Sequence, residues 1–280
     1  MRVAIIGANG MLGRHLVPRL IEHGHRVSAI ARTADKCAQL ERLGVAASRG
    51  DILDRTTLGP ALAGADMAIH AATVIPPASA NPDWSLNDRV RREGTDNLIA
   101  ACHDAGVQRY VQQSIAHVVA ADSDLLLDED APVHPTRITQ SAVDMEARVR
   151  RSRLDWIIVR GGMFYGPGTG RERQWRDAAR AGTLKLPGNG SGSISLIHVA
   201  DMAAACVLAV ERALPGALLA AVDDAPVTYR ELFGHIAALE GGPVPQAGGP
   251  AIASCRVTNA RIKAALGWTP LYPTFRSGLA

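Results

Sequence analysis

The 280-residue sequence predicts an α/β chain: a Rossmann-type, doubly wound parallel sheet with a smaller C-terminal substrate-binding region. Three observations predict it. Short apolar runs alternate with amphipathic stretches of helical period, the pattern of strands covered on both faces. A GxxGxxG loop stands between the first run and the first helix, and after Arg160 the alternation gives way to glycine-crowded loops.

Val3 to Ile6 reads as the first strand, and Met11 to Glu22, apolar at Leu12, Leu16, Val17, Leu20 and Ile21, as a helix that Gly24 closes. Val27 to Ile30 is the second strand, Lys36 to Leu43 a helix, Val45 to Ala47 the third strand and Met67 to His70 the fourth. A long helix follows over Trp84 to Ala105, then a strand at Tyr110 to Gln113, a helix at Thr136 to Arg151 and a sixth strand at Trp156 to Val159. Beyond Gly161 and Gly162, loops around Gly166, Gly168 and Gly170 and around Gly188, Gly190 and Gly192 flank a polar helix near Arg171 to Ala181. Order resumes with Ile194 to Ile197, a helix at Val199 to Arg212, a strand near Ala217 to Ala221, and helices at Tyr229 to Leu239 and Asn259 to Leu266. This divides the chain into a dinucleotide-binding domain, 1–160, and a mainly substrate-binding region, 161–280, some of which packs back on the sheet. The connections Pro76 to Pro82 and Asp122 to Pro135 follow strands and are placed to line a site at the carboxyl edge.

Composition excludes several classes. Thirty basic against 27 acidic side chains leave +3, too little and too dispersed for a nucleic-acid surface, and the densest cluster, Arg148 to Arg153, suits a solvated helix end. No apolar run has the length of a membrane span or the form of a signal peptide. Cys37, Cys102, Cys206 and Cys255 lie far apart, so neither a metal site nor a disulfide framework is expected, and a reducing cytoplasm fits. His23 and His25 flank Gly24 without a further ligand, so no metal is expected there either.

Gly7, Gly10 and Gly13, with Asn9, Met11 and Leu12 between them, suit a pyrophosphate: a tight turn, close backbone approach, and a helix N-terminus facing the anion. At the end of the second strand NAD would call for a carboxylate and a 2′-phosphate for a cation. The residue is Arg32, which Arg14 could join in a fork. NADP(H) is therefore preferred, with NAD(H) as the alternative.

These features resemble the short-chain dehydrogenase/reductase superfamily, in its extended and atypical branches of epimerases, dehydratases and reductases. The resemblance runs through Gly50, Asp51, Ile52 and Asp54; His70, Ala71 and Ala72; Gly94, Thr95, Asn97 and Leu98; Arg160, Tyr165, Gly166 and Pro167; His198, Val199 and Asp201; and Leu266, Gly267, Trp268 and Pro270. It implies that Asp51 and Ile52 contact adenine, that Ala71, Ala72 and Thr73 flank the dinucleotide, and that the loop after strand six borders the nicotinamide. His198 and Asp201 are expected to be structural. A homodimer through the two long helices is usual for such relatives.

The chain departs from that family in its chemistry. The family's tyrosine, with a lysine four residues on, protonates the alkoxide formed by hydride addition. Here the residues four places beyond Tyr110, Tyr165, Tyr229 and Tyr272 are Ser114, Thr169, Phe233 and Arg276. Matching the family's pattern puts Ile138 at the tyrosine position and Ala142 at the lysine position, and Ile115 where a hydroxyl usually stands. Ser114, His117 and, on the neighbouring loop, Tyr165 are the candidate catalytic groups, with His117 the best single donor because imidazole titrates near neutrality; His134 is a weaker one. A site without the relay suits a flat, conjugated or aromatic small molecule whose reduction needs no strong acid. The competing readings are a lyase, isomerase or cyclase on the same fold, and a dinucleotide-sensing regulator.

Overall fold

The computed structural model describes residues 1–76, 81–121 and 124–279. Among these, seven strands form one sheet: β1 (Arg2–Ile6), β2 (Arg26–Ala31), β3 (Ala46–Arg49), β4 (Met67–His70), β5 (Arg109–Ile115), β6 (Asp155–Gly161) and an edge strand, Ala217–Ala221. The order is edge-β6-β5-β4-β1-β2-β3, with the strand order reversing about β1. The ladders from β3 through β5 are parallel, with Ile6 opposite Ile30 on one side and His70 on the other. Because helices cover both faces, β1 is apolar throughout its buried length: Val3, Ala4 and Ile5 are wholly inaccessible. Each large side chain so buried contributes roughly 1.5–3 kcal/mol.

The chain divides into two compact units: residues 1–114, 135–159 and 203–218 form the first, and 115–134, 160–202 and 219–280 the second. The 115–134 segment joins the second unit because its backbone is tied there: Leu127 donates to the Arg256 carbonyl at 2.7 Å, and Thr258 donates to the Leu127 carbonyl at 2.9 Å. The buried Glu129 carboxylate also accepts from the Ala220 amide at 2.8 Å. Residues 203–218 in the first unit hold all but the first turn of the helix Val199–Arg212, with Ala203, Ala205, Cys206 and Val210 buried.

Local elements differ from the predicted bounds where capping decides them. The helix α1 spans Gly13–Glu22, starting two residues late because Met11 and Leu12 belong to the turn. Thr33 accepts from the Lys36 amide and starts α2 at Ala34 (Ala34–Glu41), so Lys36 lies in its first turn, one helical turn beyond Arg32. The long helix expected over Trp84 to Ala105 is three segments: Ser85–Arg89, a π turn at Val90–Gly94, and Thr95–Ala105. Such insertions are frequent at functional sites. In the two expected site-lining connections, residues 77–80 and 122–123 lie outside the described residues.

Candidate functional site

The first unit carries a cleft at the carboxyl ends of β1, β2 and β4. Gly7, Asn9, Gly10, Met11, Arg32, Asp51, Ile52, Ala71, Ala72 and Thr73 line it, so ten of the expected cofactor contacts meet in one place. Leu12 and Gly13 do not face it. Leu12 is 3% exposed and packs inward, and Gly13 lies against the turn, where a Cβ would collide with the Gly7 and Ala8 carbonyls. Gly7 has φ +101°, and a Cβ there would stand 2.6 Å from the Ala71 carbonyl carbon and the Ala72 nitrogen. A side chain would wedge β1 from β4 and fill the cradle.

At the β2 end of the cleft the charges are cationic. Arg32 and Lys36 both line it and are exposed. Lys36 was not singled out in the sequence, although its spacing of four from Arg32 was a usable sign once the helix start was known. Arg14 takes a different position from the expected fork: its Nε donates to the Asn9 carbonyl at 3.1 Å, bracing the turn. Asp51 is held by its own loop, its Oδ1 accepting from the Leu53 amide at 2.9 Å. Ile52 is fixed by Asn97, which donates to its carbonyl at 3.0 Å, and by Gly94, where a Cβ would press on it at 3.1 Å. A glycine turn open to the cleft, with two cations at the end of β2, fits a nicotinamide dinucleotide.

The three candidate catalytic groups each meet a constraint. Ser114, 1% exposed at the end of β5, donates its hydroxyl proton to the Glu146 carboxylate at 2.7 Å. In the second unit, the wholly buried Tyr165 donates to the Asp223 carboxylate at 3.1 Å, and its pKa is pushed up by burial and then by Asp223. Burial in turn raises Asp223 to about 7. His117 lies in a short 3₁₀ turn, and burial, reinforced by the Arg171 charge, lowers its pKa to about 4. At neutral pH it is an uncharged imidazole, which corrects the expectation that it titrates near neutrality.

Around the positions matched by resemblance to a tyrosine and a lysine, Ala142 is buried and Ile138 is 41% exposed. Arg91, in the π turn and 5% exposed, reaches them: its Nη1 donates to the Ile138 carbonyl at 3.3 Å and to Ser141 Oγ at 3.2 Å. In the sequence it stands among the charged residues Arg89, Arg92 and Glu93, and nothing there distinguishes it. His198 and Asp201 are structural in their contacts. The Asp201 carboxylate accepts from the Leu271 and Tyr272 amides at 2.8 and 2.9 Å, and His198 packs on the Tyr272 ring.

His70, at the end of β4, gives a pH prediction. Burial, opposed by a Val90 carbonyl and aided by the Arg91 charge, lowers its pKa to about 4. The unfolded imidazole takes a proton near 6.5, so between these values the unfolded state binds more protons. The contribution is complete above 6.5 and is lost as pH falls toward 4. His117 acts with the same sign, whereas Asp223, raised to about 7, favours the native state as pH falls through that range. In denaturant unfolding, His70→Gln is expected to reduce the stability lost between pH 7 and pH 5 by about 2 kcal/mol; an unchanged loss contradicts the assignment.

A family model described as NAD(P)H-binding matches residues 7–209. The chain is 34% identical, over all of its length and 99% of the relative's, to a 3-diazoavenalumate denitrifying reductase of a Streptomyces species. It is 28% identical to the 2-alkyl-3-oxoalkanoate reductase of Stenotrophomonas maltophilia, covering 87% of this chain and 77% of that one. The solved structure of MoeE5 in complex with UDP-glucuronic acid and NAD superposes with a TM-score of 0.82 at 26% identity, covering all of this chain and 96% of that one. Among the described residues no helix is long and apolar enough to cross a membrane. With the cleft, its glycine turn and these relatives taken together, the chain belongs to the NAD(P)H-binding family and is an NAD(P)-dependent oxidoreductase.

Proposed function

We propose that the protein is an NADPH-dependent reductase that delivers hydride to a small, flat, conjugated or aromatic metabolite without a protein proton relay, and that its electrophile is a carbon bearing a diazo group. The observation that carries this reading is the state of the candidate donors. The Ser114 proton goes to Glu146, the Tyr165 proton to Asp223, and His117 is uncharged at neutral pH.

The bound reduced cofactor supplies the hydride. The turn at Gly7 and Gly10 receives the diphosphate, Arg32 and Lys36 take the 2′-phosphate, Asp51 and Ile52 border the adenine, and Ala71, Ala72 and Thr73 flank the dinucleotide. The preference for NADP(H) over NAD(H) rests on the two cations at the end of β2. Arg91 fixes a positive charge beside the backbone where the tyrosine and lysine would stand. A charge there stabilises a delocalised oxyanion without transferring a proton.

Chemical balance separates the substrates. Hydride added to a simple ketone leaves an alkoxide that needs an acid of matched pKa. Hydride added to an aryl diazo carbon forms a C–H bond while the C–N bond breaks, its electron pair leaving on dinitrogen, so no proton is consumed. The name of the Streptomyces relative, a denitrifying reductase of a diazo acid, supports this class.

The test follows oxidation of NADPH with a panel of aryl diazonium salts, quinones, enones and simple ketones. The expected result is turnover on the diazo compounds with one dinitrogen released per NADPH, and ketones at background. Brisk ketone reduction with no diazo turnover contradicts the reading. On the active substrate Ser114→Ala is expected to keep its rate within about threefold, because losing a true general acid costs about 10²–10⁴-fold; a loss of that size makes Ser114 the donor.

A further inference from the structure

The second unit holds a group of polar side chains that its own acids do not satisfy. Arg171 opens the helix Arg171–Arg180. The acids on that helix are taken by other arginines: Glu172 pairs with Arg176 at 2.9 Å and Asp177 with Arg180 at 2.8 Å, and Glu240 holds both Arg176 and Arg180. Among the described residues Arg171 makes no ion pair, although burial lowers its pKa. A half-buried guanidinium without an anion leaves its charge to be met by solvent or by a ligand.

Two further groups lie within reach of the Arg171 charge. Tyr229, which opens the helix Tyr229–Leu239, is 3% exposed, and its hydroxyl is buried with no hydrogen-bond partner. His117 has the same deficiency at Nε2. The Arg171 charge acts on both. Buried polar atoms are nearly always paired, so unpaired atoms on two residues beside an unpaired cation call for a missing partner. The surroundings show its other half: the Arg171 guanidinium lies over the Trp175 ring at 6.0 Å, Trp175 packs on Phe233 at 5.6 Å, and Phe233 on Tyr229 at 5.7 Å.

We propose that Arg171, Tyr229 and His117 form a receptor for the carboxylate of an aromatic acid, whose ring lies along Trp175 and Phe233. A carboxylate accepts two parallel bonds from a guanidinium and has lone pairs left for a phenol and an imidazole N–H. The inference rests on the reading of the substrate as a flat conjugated metabolite and names its acidic end. It gives His117 the role of a neutral donor to the ligand in place of proton transfer.

The experiment is calorimetric titration of the full chain, saturated with NADPH, with 4-hydroxycinnamate and with its methyl ester. The acid is expected to bind and the ester to bind at least about tenfold more weakly. Arg171→Gln is expected to lose about tenfold or more in affinity for the acid and Tyr229→Phe about threefold to tenfold, with NADPH affinity unchanged in both. Arg171→Lys, which keeps the charge and loses the fork, should fall between wild type and Arg171→Gln. The proposal is overturned if the acid does not bind wild type at about 10 mM, if the ester binds equally, or if Arg171→Gln binds as wild type does. Because binding is read without turnover, a failed diazo reductase assay leaves this result standing, and a failed titration leaves that assay standing.

Discussion

Replacing Gly7 with valine is expected to abolish dinucleotide binding up to millimolar concentrations and to lower the unfolding midpoint. The backbone there has φ +101°, where a β-branched residue is strained by about 1–3 kcal/mol. The new Cβ would also stand 2.6 Å from backbone atoms of Ala71 and Ala72, which cannot move without parting β1 from β4. The two residues it would displace themselves line the cleft, so fold and binding are damaged together. Gly59→Ala is the control: a Cβ there meets nothing within 4 Å, and cofactor affinity should be unchanged. Calorimetry with NADPH and thermal unfolding of both variants check this, and a Gly7→Val protein that binds NADPH like wild type contradicts the assigned cradle.

Removing both cations at the end of β2, as Arg32→Ala with Lys36→Ala, is expected to weaken NADPH about 100-fold or more and to leave NADH within about threefold. Charge-assisted hydrogen bonds are each worth about 1.5–3 kcal/mol, and one factor of ten costs about 1.4 kcal/mol. Arg32 alone should account for the larger share, because its planar fork matches a phosphate bidentately whereas Lys36 acts as a point charge. Each side chain is exposed, so its loss leaves the core intact and the effect is read as affinity. Equal weakening of NADH and NADPH would place the cations at the diphosphate instead.

The sheet and the dinucleotide cleft were legible because their causes are local. A strand buried on both faces must be continuously apolar, as Val3 to Ile6 is, and a turn pressed against β4 must be glycine, as Gly7 is. Arg32 was legible because it stands at the end of a recognisable strand. Lys36 was missed because its position depends on a single cap, Thr33, which moved the helix start by two residues. Arg91 and Arg171 were illegible for another reason: each sits among other charged residues, and only tertiary packing separates the buried Arg91 and the half-buried Arg171 from their solvated neighbours. The crossing of residues 115–134 into the second unit also had no local sign, since it depends on pairing between Leu127 and Val257, far apart in the chain.

The candidate donors illustrate the same limit from the side of chemistry. Ser114, His117 and Tyr165 were identified by residue type and by nearness to strand ends. Whether a hydroxyl or imidazole can give up a proton depends on what it faces. Glu146 lies 32 residues from Ser114 and Asp223 lies 58 from Tyr165, and neither partnership is written in the local sequence.

The measurement that bears most directly on the whole is calorimetric titration of the purified wild-type protein with NADPH and NADH under one buffer. The expected result is binding of both, with NADPH at least about tenfold tighter through the contacts of Arg32 and Lys36 to the 2′-phosphate. Absence of heat with either coenzyme at millimolar concentration contradicts the dinucleotide cradle, and tighter binding of NADH contradicts the role of the two cations.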